Sequence, residues 1–515
     1  MINKLMILAL VFLTQAALAS EGQQITEQTV RAALPALDKL VEQTLQKTGI
    51  PGVAIAVVYK DRAIYLKGFG VREAGKPERV DTDTVFQLAS VSKPIASTVV
   101  AALVGEKVVS WDDPIILHDP GFQMYDPWVT REVTVRDMLA HRSGLPDHAG
   151  DRLEDLGYDR KTILSRLRYQ NPSSSFRSHY AYTNFGLTEA AVAAAKAAGR
   201  SWEEISAEKL YRPLGMKNTS SRYADFVAAN NRALGHVLIN GKWVTKYKRN
   251  PDAQSPAGGV SSTVHDLAQW MRLQLGNGKF NGLQIVDAEA LAETHRPQIG
   301  RPTPQGSSSG RTGFYGLGWN VDYDDQGQVR LNHSGAFDLG AATVVSLVPS
   351  EELGVIVLTN ASPIGVPEAI SKSFFDLVFS GKVEKDWFSL YRQVFATELK
   401  PDYGIAINYS EPPNHPSPAL RPEAYAGIYR NDLFGEIEVA EKDGGLVLLL
   451  GPKKNAFGLH HFDRDVFTYQ PTGENAYGLS AVTFTVGADK KAARVVIENL
   501  DVDGQGSFTR VAADN

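Results

Sequence analysis

The chain has 515 residues, 43% of them hydrophobic and 22% charged, an ordinary globular balance with apolar material for two or three cores, so one domain is too few. Its formal net charge is −5, and without a basic field we expect neither nucleic acid nor an anionic membrane surface as a partner. It contains no cysteine, which excludes disulfides, thiol catalysis and lipid attachment through an N-terminal cysteine.

The N-terminus is typical of a secretory signal peptide covering residues 1–19. Lys4 precedes an apolar run from Leu5 to Leu13, and small residues ending at Ala19 follow. The run is too short to span a bilayer, and no later segment approaches the roughly 18 uninterrupted apolar residues that a membrane helix needs. We therefore expect a mature chain that is periplasmic or secreted and has no membrane span.

The next predicted elements are strands, then helices, then strands again. Residues 52–70 predict a β-hairpin, and a helical run opens at Ser90. The chain is then mostly helical to about residue 280, and residues 296–313 form a Pro/Gly/Ser loop. Strands return over residues 328–360, in the stretches QVRLNHSG, AATVVSLVP and LGVIVLTN. This order indicates one sheet closed by both ends of the domain, with a helical insertion.

A second, smaller domain is predicted at the C-terminus. The stretches PEAISKSFFDLVFSG and KDWFSLYRQVFATELK predict two helices, and a proline-rich linker follows. Short strands punctuated by turns then predict an all-β barrel or sandwich. The domains are expected at residues 20–385 and 421–515, joined by a helix and linker at 386–420. No spacing matches a common zinc motif, and neither a metal nor a cofactor is expected; the pair His460-His461 is read as polar structure.

Ser90 and Lys93 form an S-x-x-K pair at a helix start. A serine hydroxyl needs a base to become a nucleophile, and residues three apart share one helix face. Lys93 can be that base only if burial and neighbouring charge lower its pKa. A second S-x-x-K, Ser206 with Lys209, lies mid-helix among glutamates and is interpreted as a solvated structural face.

Two further elements follow in order. Tyr182 and Asn184 form a Y-x-N element at a loop-to-helix junction, whereas the other matches, at Tyr169 and Tyr429, lack that setting. His333, Ser334 and Gly335 form an [HK]-[ST]-G element that leads into a predicted strand, and Gly335 lets a substrate backbone approach closely. The three motifs together, each in its expected local setting, predict a catalytic serine site.

At this point the chain resembles the serine β-lactamase-like hydrolases, the group of class C β-lactamases, DD-peptidases, D-aminopeptidases and esterases. The resemblance covers roughly residues 30–385 and includes the phrases MLAHRSGLP, RPLGMKNT, SPAGGVSST and YGLGW. It implies an α+β fold: a mostly antiparallel sheet flanked by helices, with a helical subdomain over the site.

The resemblance also implies roles for the motif residues. Ser90 would be acylated, Lys93 would help deprotonate it, and Tyr182 would pass a proton to the leaving group. Asn184 would contact the substrate amide together with the third motif, His333, Ser334 and Gly335. The backbone N–H groups of Ser90 and Ala336 would form the oxyanion hole. Whether lysine or tyrosine is the acylation base stays open at this stage.

The third motif shifts the expected substrate class. Many β-lactamases of this group carry lysine where this chain has His333, and a fixed cation suits the carboxylate of a β-lactam. Histidine is mostly neutral near pH 7, which argues against efficient β-lactam turnover. Gly306–Gly310 also matches the G-x-S-x-G elbow of α/β-hydrolases, but a proline-rich loop precedes it instead of a strand, so Ser308 is interpreted as loop.

Residues 421–515 resemble a small lipocalin-like β domain often appended to this group. In some relatives such a domain contributes oligomer contacts or closes over the active site, and a homo-oligomer through this domain stays open here beside a purely stabilising barrel. The expected function is hydrolysis of a small peptide, amide or ester through an acyl-enzyme on Ser90. The alternatives are a β-lactamase or DD-carboxypeptidase, and a non-enzymatic protein that binds cell-wall fragments.

Overall fold

The structure is a computed structural model that describes residues 25–302, 312–324 and 327–512. The expected signal peptide and the G-x-S-x-G match at Gly306–Gly310 lie outside the described residues. Among the residues that are described, no helix is long and apolar enough to cross a membrane.

The larger, N-terminal part of the described chain is built around one antiparallel sheet. Its strands, with the short strands of the helical region, are β1 Gly52–Tyr59, β2 Arg62–Gly70, β3 Phe86–Gln87, β4 Val237–Ile239, β5 Lys242–Val244, β6 Ser261–Ser262, β7 Lys279–Phe280, β8 Leu283–Gln284, β9 Ile299–Gly300, β10 Phe314–Tyr315, β11 Asn320–Tyr323, β12 Val329–Phe337, β13 Ala341–Val348 and β14 Leu353–Thr359. Within the described ranges, eight strands form the sheet in the order β2-β1-β14-β13-β12-β11-β10-β9. The first hairpin therefore pairs with the last strand, as the sequence predicted.

Helices cover both faces of this sheet and build a separate layer over one end. They are α1 Glu27–Thr48, α2 Ser92–Gly105, α3 Ile115–His118, α4 Pro127–Glu132, α5 Val135–Leu139, α6 Asp151–Asp155, α7 Arg160–Arg166, α8 Asn184–Ala197, α9 Trp202–Ser206, α10 Tyr223–Ala228, α11 Ser255–Gly258, α12 Val264–Leu275, α13 Ala288–Thr294, α14 Val366–Ser380 and α15 Trp387–Glu398. The predicted helices before the linker are thus present as α14 and α15.

Strand β1 shows why the sheet needs cover on both faces. All eight of its residues are buried, and successive side chains point to opposite faces because a strand has a period of two. Ala54 and Ala56 belong to the core beneath α2 and α12, whereas Val53 and Ile55 belong to the core beneath α1 and α14. A continuous apolar run, rather than an alternating one, is the pattern that such a doubly covered strand requires.

The C-terminal part is a closed antiparallel barrel, which confirms the predicted all-β domain. Its strands are β15 Gly427–Asn431, β16 Gly435–Lys442, β17 Gly445–Leu450, β18 Asn455–Asp463, β19 Val466–Tyr469, β20 Ser480–Val486, β21 Ala492–Ile497 and β22 Ser507–Arg510. Pairing of β15 with β22 closes the barrel. Between α15 and the barrel, residues 399–421, all of them described, contain no helix or strand, in keeping with the linker expected there.

Candidate active site

Ser90, the predicted nucleophile, lies on a tight turn that leads into a helix. Ala89 adopts a positive φ of 47°, which is uncommon for a residue with a side chain and marks a locally strained backbone. A single turn of 3₁₀ helix, Ala89–Val91, carries Ser90 into α2. Ser90 is partly exposed and stands at the positive end of the α2 helix dipole, where an alkoxide is favoured. Pro94 falls in the first turn of α2, where its missing N–H costs little, as expected from the sequence.

Lys93 is fully buried beside Ser90. Its Nζ lies 3.0 Å from Ser90 Oγ, 2.6 Å from Asn184 Oδ1 and 3.1 Å from the carbonyl oxygen of Ala257. Burial lowers the pKa of Lys93 to about 7, and the negative charge of Asp151 opposes part of that decrease. A large fraction of the lysine is therefore a neutral amine at neutral pH, which is the state that a general base requires.

Tyr182 is the second group in contact with the nucleophile. Its hydroxyl donates to Ser90 Oγ at 2.7 Å, and Lys93 Nζ lies 4.4 Å from the centroid of its ring. Burial raises the pKa of Tyr182 well above its ordinary value. The residue therefore stays a neutral phenol over the physiological range and donates a hydrogen bond to Ser90.

The hydrogen bonds around Ser90 are consistent with only one arrangement of protons when Lys93 is neutral. A neutral amine has two N–H donors and one lone pair, and the oxygens of Asn184 and Ala257 can only accept. Both N–H groups are used on these oxygens, so the lone pair faces the Ser90 hydroxyl. Tyr182 donates to the same Oγ. The geometry favours Lys93 over Tyr182 as the base that removes the serine proton.

Asn184, the first residue of α8, joins Lys93 to a buried carboxylate. Its Oδ1 accepts from Lys93, and its Nδ2 donates to Asp151 Oδ2 at 2.8 Å. The side chain is buried, with 8% of the residue exposed. Contact with a substrate amide stays a prediction for Asn184.

The third motif lies on β12, alongside the nucleophile turn. His333 Nδ1 donates to the carbonyl oxygen of Ser334 at 2.7 Å, so Nε2 is left to accept from the Tyr315 hydroxyl at 3.0 Å. Burial, with a smaller effect from the charge of Lys93, lowers the pKa of His333 to about 3. The imidazole is therefore neutral, as the sequence argument expected of a histidine here.

Gly335 brings β12 into contact with the nucleophile. A Cβ added at Gly335 would lie 3.0 Å from the backbone nitrogen of Ser90 and would overlap Leu88 O and Thr343 Oγ1. The strand thus passes directly beside the Ser90 amide, and Ala336 is the next residue along it. This placement is compatible with the predicted oxyanion hole of the Ser90 and Ala336 N–H groups, and that role stays a prediction.

Several residues of the site carried no motif of their own. His141, His148 and Tyr315 pack around the Tyr182 ring or its neighbours, with ring centroids 4.7 to 5.5 Å apart, and Asp151 lies behind Asn184. His141 and Tyr315 fall inside the phrases MLAHRSGLP and YGLGW, which was the available signal. Nothing in the sequence singled out His148 or Asp151.

The second S-x-x-K pair is structural, but the solvated face expected for it is wrong. Ser206 is fully buried and its Oγ lies 3.0 Å from Ser221 Oγ, whereas Lys209 Nζ donates to both carboxylate oxygens of Glu106. A π-helical turn, Ala207–Tyr211, follows α9. Because a π-helical turn contains an extra residue, Leu210 and not Lys209 follows Ser206 on the buried face of the helix. The Lys209 side chain therefore points away from Ser206.

Among the described residues, no group of three or more histidine, cysteine, aspartate or glutamate side chains is arranged to hold a metal ion. His460 and His461 are exposed on β18, and His461 Nε2 lies 3.1 Å from the carbonyl oxygen of Arg464.

Comparison with known proteins supplies independent findings. A family model described as Beta-lactamase matches residues 37–371, and one described as a domain of unknown function (DUF3471) matches residues 411–510. The chain is similar to two proteins named unguisins hydrolase: one from Aspergillus campestris, 29% identical over 63% of this chain and 60% of that protein, and one from Aspergillus violaceofuscus, 25% identical over 78% and 76%. It is also similar to Protein flp of Staphylococcus aureus, 23% identical over 65% of this chain and 64% of that protein. The matches thus span less than two thirds of two of these three relatives.

A solved structure shows the same fold. It is the structure of the octameric penicillin-binding protein homologue from Pyrococcus abyssi, and it aligns with a TM-score of 0.60 over 90% of this chain and 98% of that chain. At 19% sequence identity, this likeness concerns the fold.

Proposed function

This chain belongs to the beta-lactamase family of serine hydrolases, and from that premise we propose that it forms an acyl-enzyme on Ser90 and hydrolyses small amides or esters, with peptides, including peptides that contain D-residues, as the favoured substrates. The observation that carries the proposal is the Lys93 amine, buried and 3.0 Å from Ser90 Oγ.

Acylation would begin with transfer of the Ser90 hydroxyl proton to the Lys93 lone pair as Oγ attacks the substrate carbonyl. Negative charge then develops on the carbonyl oxygen, where the Ser90 and Ala336 amides would donate. Preorganised donors of this kind are worth about 100- to 1,000-fold in rate. Tyr182, a neutral phenol beside Ser90, would donate its proton to the leaving amine or alcohol and regain one from the Lys93 ammonium. Water would repeat the steps in reverse order to release the acid.

The neutral His333 in the third motif supports amides and esters over β-lactams as substrates. A β-lactam carries a carboxylate next to its ring, and a buried neutral His333 offers that group no charge. Two of the relatives are named as hydrolases of unguisins, which supports hydrolysis of a substrate other than a penicillin. A β-lactamase or DD-carboxypeptidase is the competing outcome of the test below.

The test is intact-protein mass spectrometry after incubation with a panel of D- and L-aminoacyl amides, peptides, esters and penicillins. We expect a mass increase equal to the acyl group, located on the peptide that contains Ser90, with amides or esters. Ser90→Ala removes the nucleophile and should abolish both the adduct and turnover. Turnover retained in Ser90→Ala would exclude this mechanism. A long-lived adduct with penicillins alone would favour the penicillin-recognising alternative.

We also propose a periplasmic or secreted location, supported by the N-terminal sequence, and a homo-oligomer formed through the barrel. The octameric state of the solved relative from Pyrococcus abyssi supports the second of these proposals. N-terminal sequencing of protein recovered from culture medium and cell fractions tests the first proposal. Light scattering of the full mature chain and of a chain ending before the barrel tests the second.

A further inference from the structure

Behind the catalytic lysine lies a carboxylate that no motif identified. Asp151 is the first residue of α6, and only 5% of it is exposed. Its Oδ2 accepts from Asn184 Nδ2 at 2.8 Å and lies 2.8 Å from His148 Nδ1. Its Oδ1 has no hydrogen-bond partner among the residues that the structure describes. Keeping a carboxylate buried with half its acceptors unused is costly, so a functional reason for Asp151 is needed.

Asp151, Asn184 and Lys93 form a chain of hydrogen bonds in which each donor and acceptor is fixed. An ionised carboxylate only accepts, so Asn184 must turn its NH₂ group to Asp151 and its oxygen to Lys93. Without that acceptor, the amide could rotate by half a turn and offer NH₂ to the lysine. The neutral amine would then accept from that NH₂ group, and the lone pair of Lys93 would point to Asn184 instead of Ser90.

We propose that Asp151 is a positioning residue that acts through the Asn184 amide to aim the lone pair of Lys93 at Ser90. The inference rests on the proposed function of Lys93 as the base in acylation. The side-chain hydrogen bonds of Asp151 go to Asn184 and His148, not to Ser90. Asn184 links Asp151 to Lys93.

Asp151 also contributes charge at Lys93. Charges that interact with the lysine come from two neighbouring segments: Asp151, His141 and His148 before and into α6, and His333 on β12. The ring of Tyr182, a neutral phenol, also faces Lys93. Burial would lower the pKa of His148, but the hydrogen bond and charge of Asp151 outweigh burial and raise it. His148 therefore carries positive charge more readily than an ordinary histidine, and its charge opposes protonation of Lys93.

This arrangement predicts shifts of opposite sign from two variants. Asp151→Asn removes the negative charge and should lower the pKa of Lys93. His148→Gln keeps a donor for Asp151 and removes a positive charge, and should raise the pKa of Lys93. Asp443→Asn is the matched control, because Asp443 is exposed in the turn between β16 and β17 of the barrel, and it should leave the pKa of Lys93 unchanged.

The pKa of Lys93 can be measured without a substrate, by NMR titration of protein labelled with carbon-13 lysine. The Lys93 signal is assigned by its loss in Lys93→Ala. Kinetic measurements on a turned-over substrate are then expected to show the acid limb of kcat/KM moving with the NMR value. The plateau of kcat should fall about 10-fold or more in Asp151→Leu, because leucine offers the Asn184 NH₂ group no acceptor and residues that orient a catalytic group have effects of about this size.

A double-mutant cycle tests whether Asp151 acts through Asn184. Asn184→Leu breaks the chain while keeping the carboxylate, and adding Asp151→Leu to it should cost no further rate at the plateau. If Asp151→Leu folds poorly by circular dichroism and thermal melting, Asn184→Leu alone still tests the chain, and a wild-type plateau in it would overturn the proposal.

An unchanged plateau in Asp151→Leu would also overturn the proposal, whatever the Lys93 titration shows. Failure of the proposed function looks different: no substrate is turned over by the wild-type protein, while the NMR shifts still appear in the expected directions.

Discussion

In the proposed mechanism the chemistry depends on Lys93, because burial sets its protonation state. An exposed lysine is a cation at neutral pH and cannot remove a proton. Here the pKa is lowered to about 7, and the same enclosure raises the pKa of Tyr182. One pocket therefore keeps a base and an acid in the forms that each role requires, by shifting two pKa values in opposite directions.

The first prediction concerns the pH dependence of activity. Lys93 must lose its proton to act as base, so kcat/KM should rise with pH through a midpoint at about 7. The rise should continue to a plateau, because Tyr182 retains its proton at that pH. Initial rates in overlapping buffers from about pH 5 to about pH 9 measure this rise in kcat/KM, the acid limb of the pH profile. A pH-independent rate across that range would contradict the assignment of Lys93 as base.

Tyr182→Phe is the matched variant for that experiment. It keeps the ring that packs beside Lys93 and removes only the hydroxyl that donates to Ser90. We expect kcat to fall by about 100-fold or more, with the acid limb still near the wild-type midpoint because a neutral phenol contributes no charge. A large movement of the limb in Tyr182→Phe would instead indicate that the tyrosine titrates as the base.

At the scale of elements, the site exists because β12 and the turn before α2 lie against each other. Thr343 Oγ1, on the neighbouring β13, donates to the carbonyl oxygen of Leu88 at 2.7 Å. The amide of Val260 donates to Ser92 Oγ at 3.0 Å on the other side of the turn. The nucleophile turn is thus held between the sheet and the helical layer, and its strained Ala89 is stabilised by these contacts.

Gly335→Ala should damage this junction. The added methyl group has no room between Leu88, Thr343 and the Ser90 amide, so β12 or the turn must move. We expect a loss of stability of about 1 to 3 kcal/mol and a fall in kcat/KM of about 100-fold. Thermal melting and initial rates measure the two effects.

Gly458→Ala in β18 is the control for that substitution, because an added Cβ there meets nothing within 4 Å. It should keep wild-type melting and rates. Full activity in Gly335→Ala would show that the strand does not need to lie this close to Ser90.

At the scale of the whole molecule, the barrel is attached to the end of the strand that carries the third motif. The loop between β19 and β20 brings Glu474 and Tyr477 to Asp338, just beyond β12. Glu474 accepts from the Asp338 amide, and the Tyr477 hydroxyl donates to the Asp338 carboxylate. Arg249, which lies outside the barrel between β5 and α11, places its Nε 3.4 Å from Glu474 Oε2. The two domains therefore share a buried polar junction near the active site.

This junction should make stability depend on pH. Burial raises the pKa of Glu474 to about 8, with Arg249 opposing and Asp338 adding to the increase. Because the folded pKa lies above the ordinary value of 4.5, the stabilisation is fully present below about pH 4.5 and is lost as pH rises through about 8. Glutamine has the same shape as the protonated acid and does not titrate. Between about pH 6 and about pH 9 the melting temperature of Glu474→Gln should therefore fall less than that of the wild type.

Glu441→Gln, on the exposed face of β16, controls for the loss of one carboxylate and should melt with the wild-type pH dependence. Lys93 titrates in all three proteins, so its contribution cancels in the comparison. Identical pH dependence in Glu474→Gln and wild type would mean that Glu474 is ionised in the folded protein.

The sequence alone determined the local features of this protein. The hairpin at residues 52–70, the apolar β1, the helix opening near Ser90, the proline-rich linker and the strands of the barrel all follow from patterns within a few residues, because strand and helix periodicity are local properties. The three motifs are equally local, and each was identifiable because serine, lysine, tyrosine and histidine chemistry needs those residue types. The solvated Ser206 was the local interpretation that failed, since a π turn altered which residues face inward.

Only the tertiary structure decided how the site works. Lys93 meets Asn184 across 91 positions of the chain and Ala257 across 164, and no periodicity reports such pairs. Asp151 and His148 carry no motif and matter through the groups that folding places beside them. The pKa of Lys93 depends on complete burial, which is a property of all the surrounding elements together. The sequence determines which groups can do chemistry; packing decides their protonation and direction, because desolvation and hydrogen-bond geometry exist only in the folded chain.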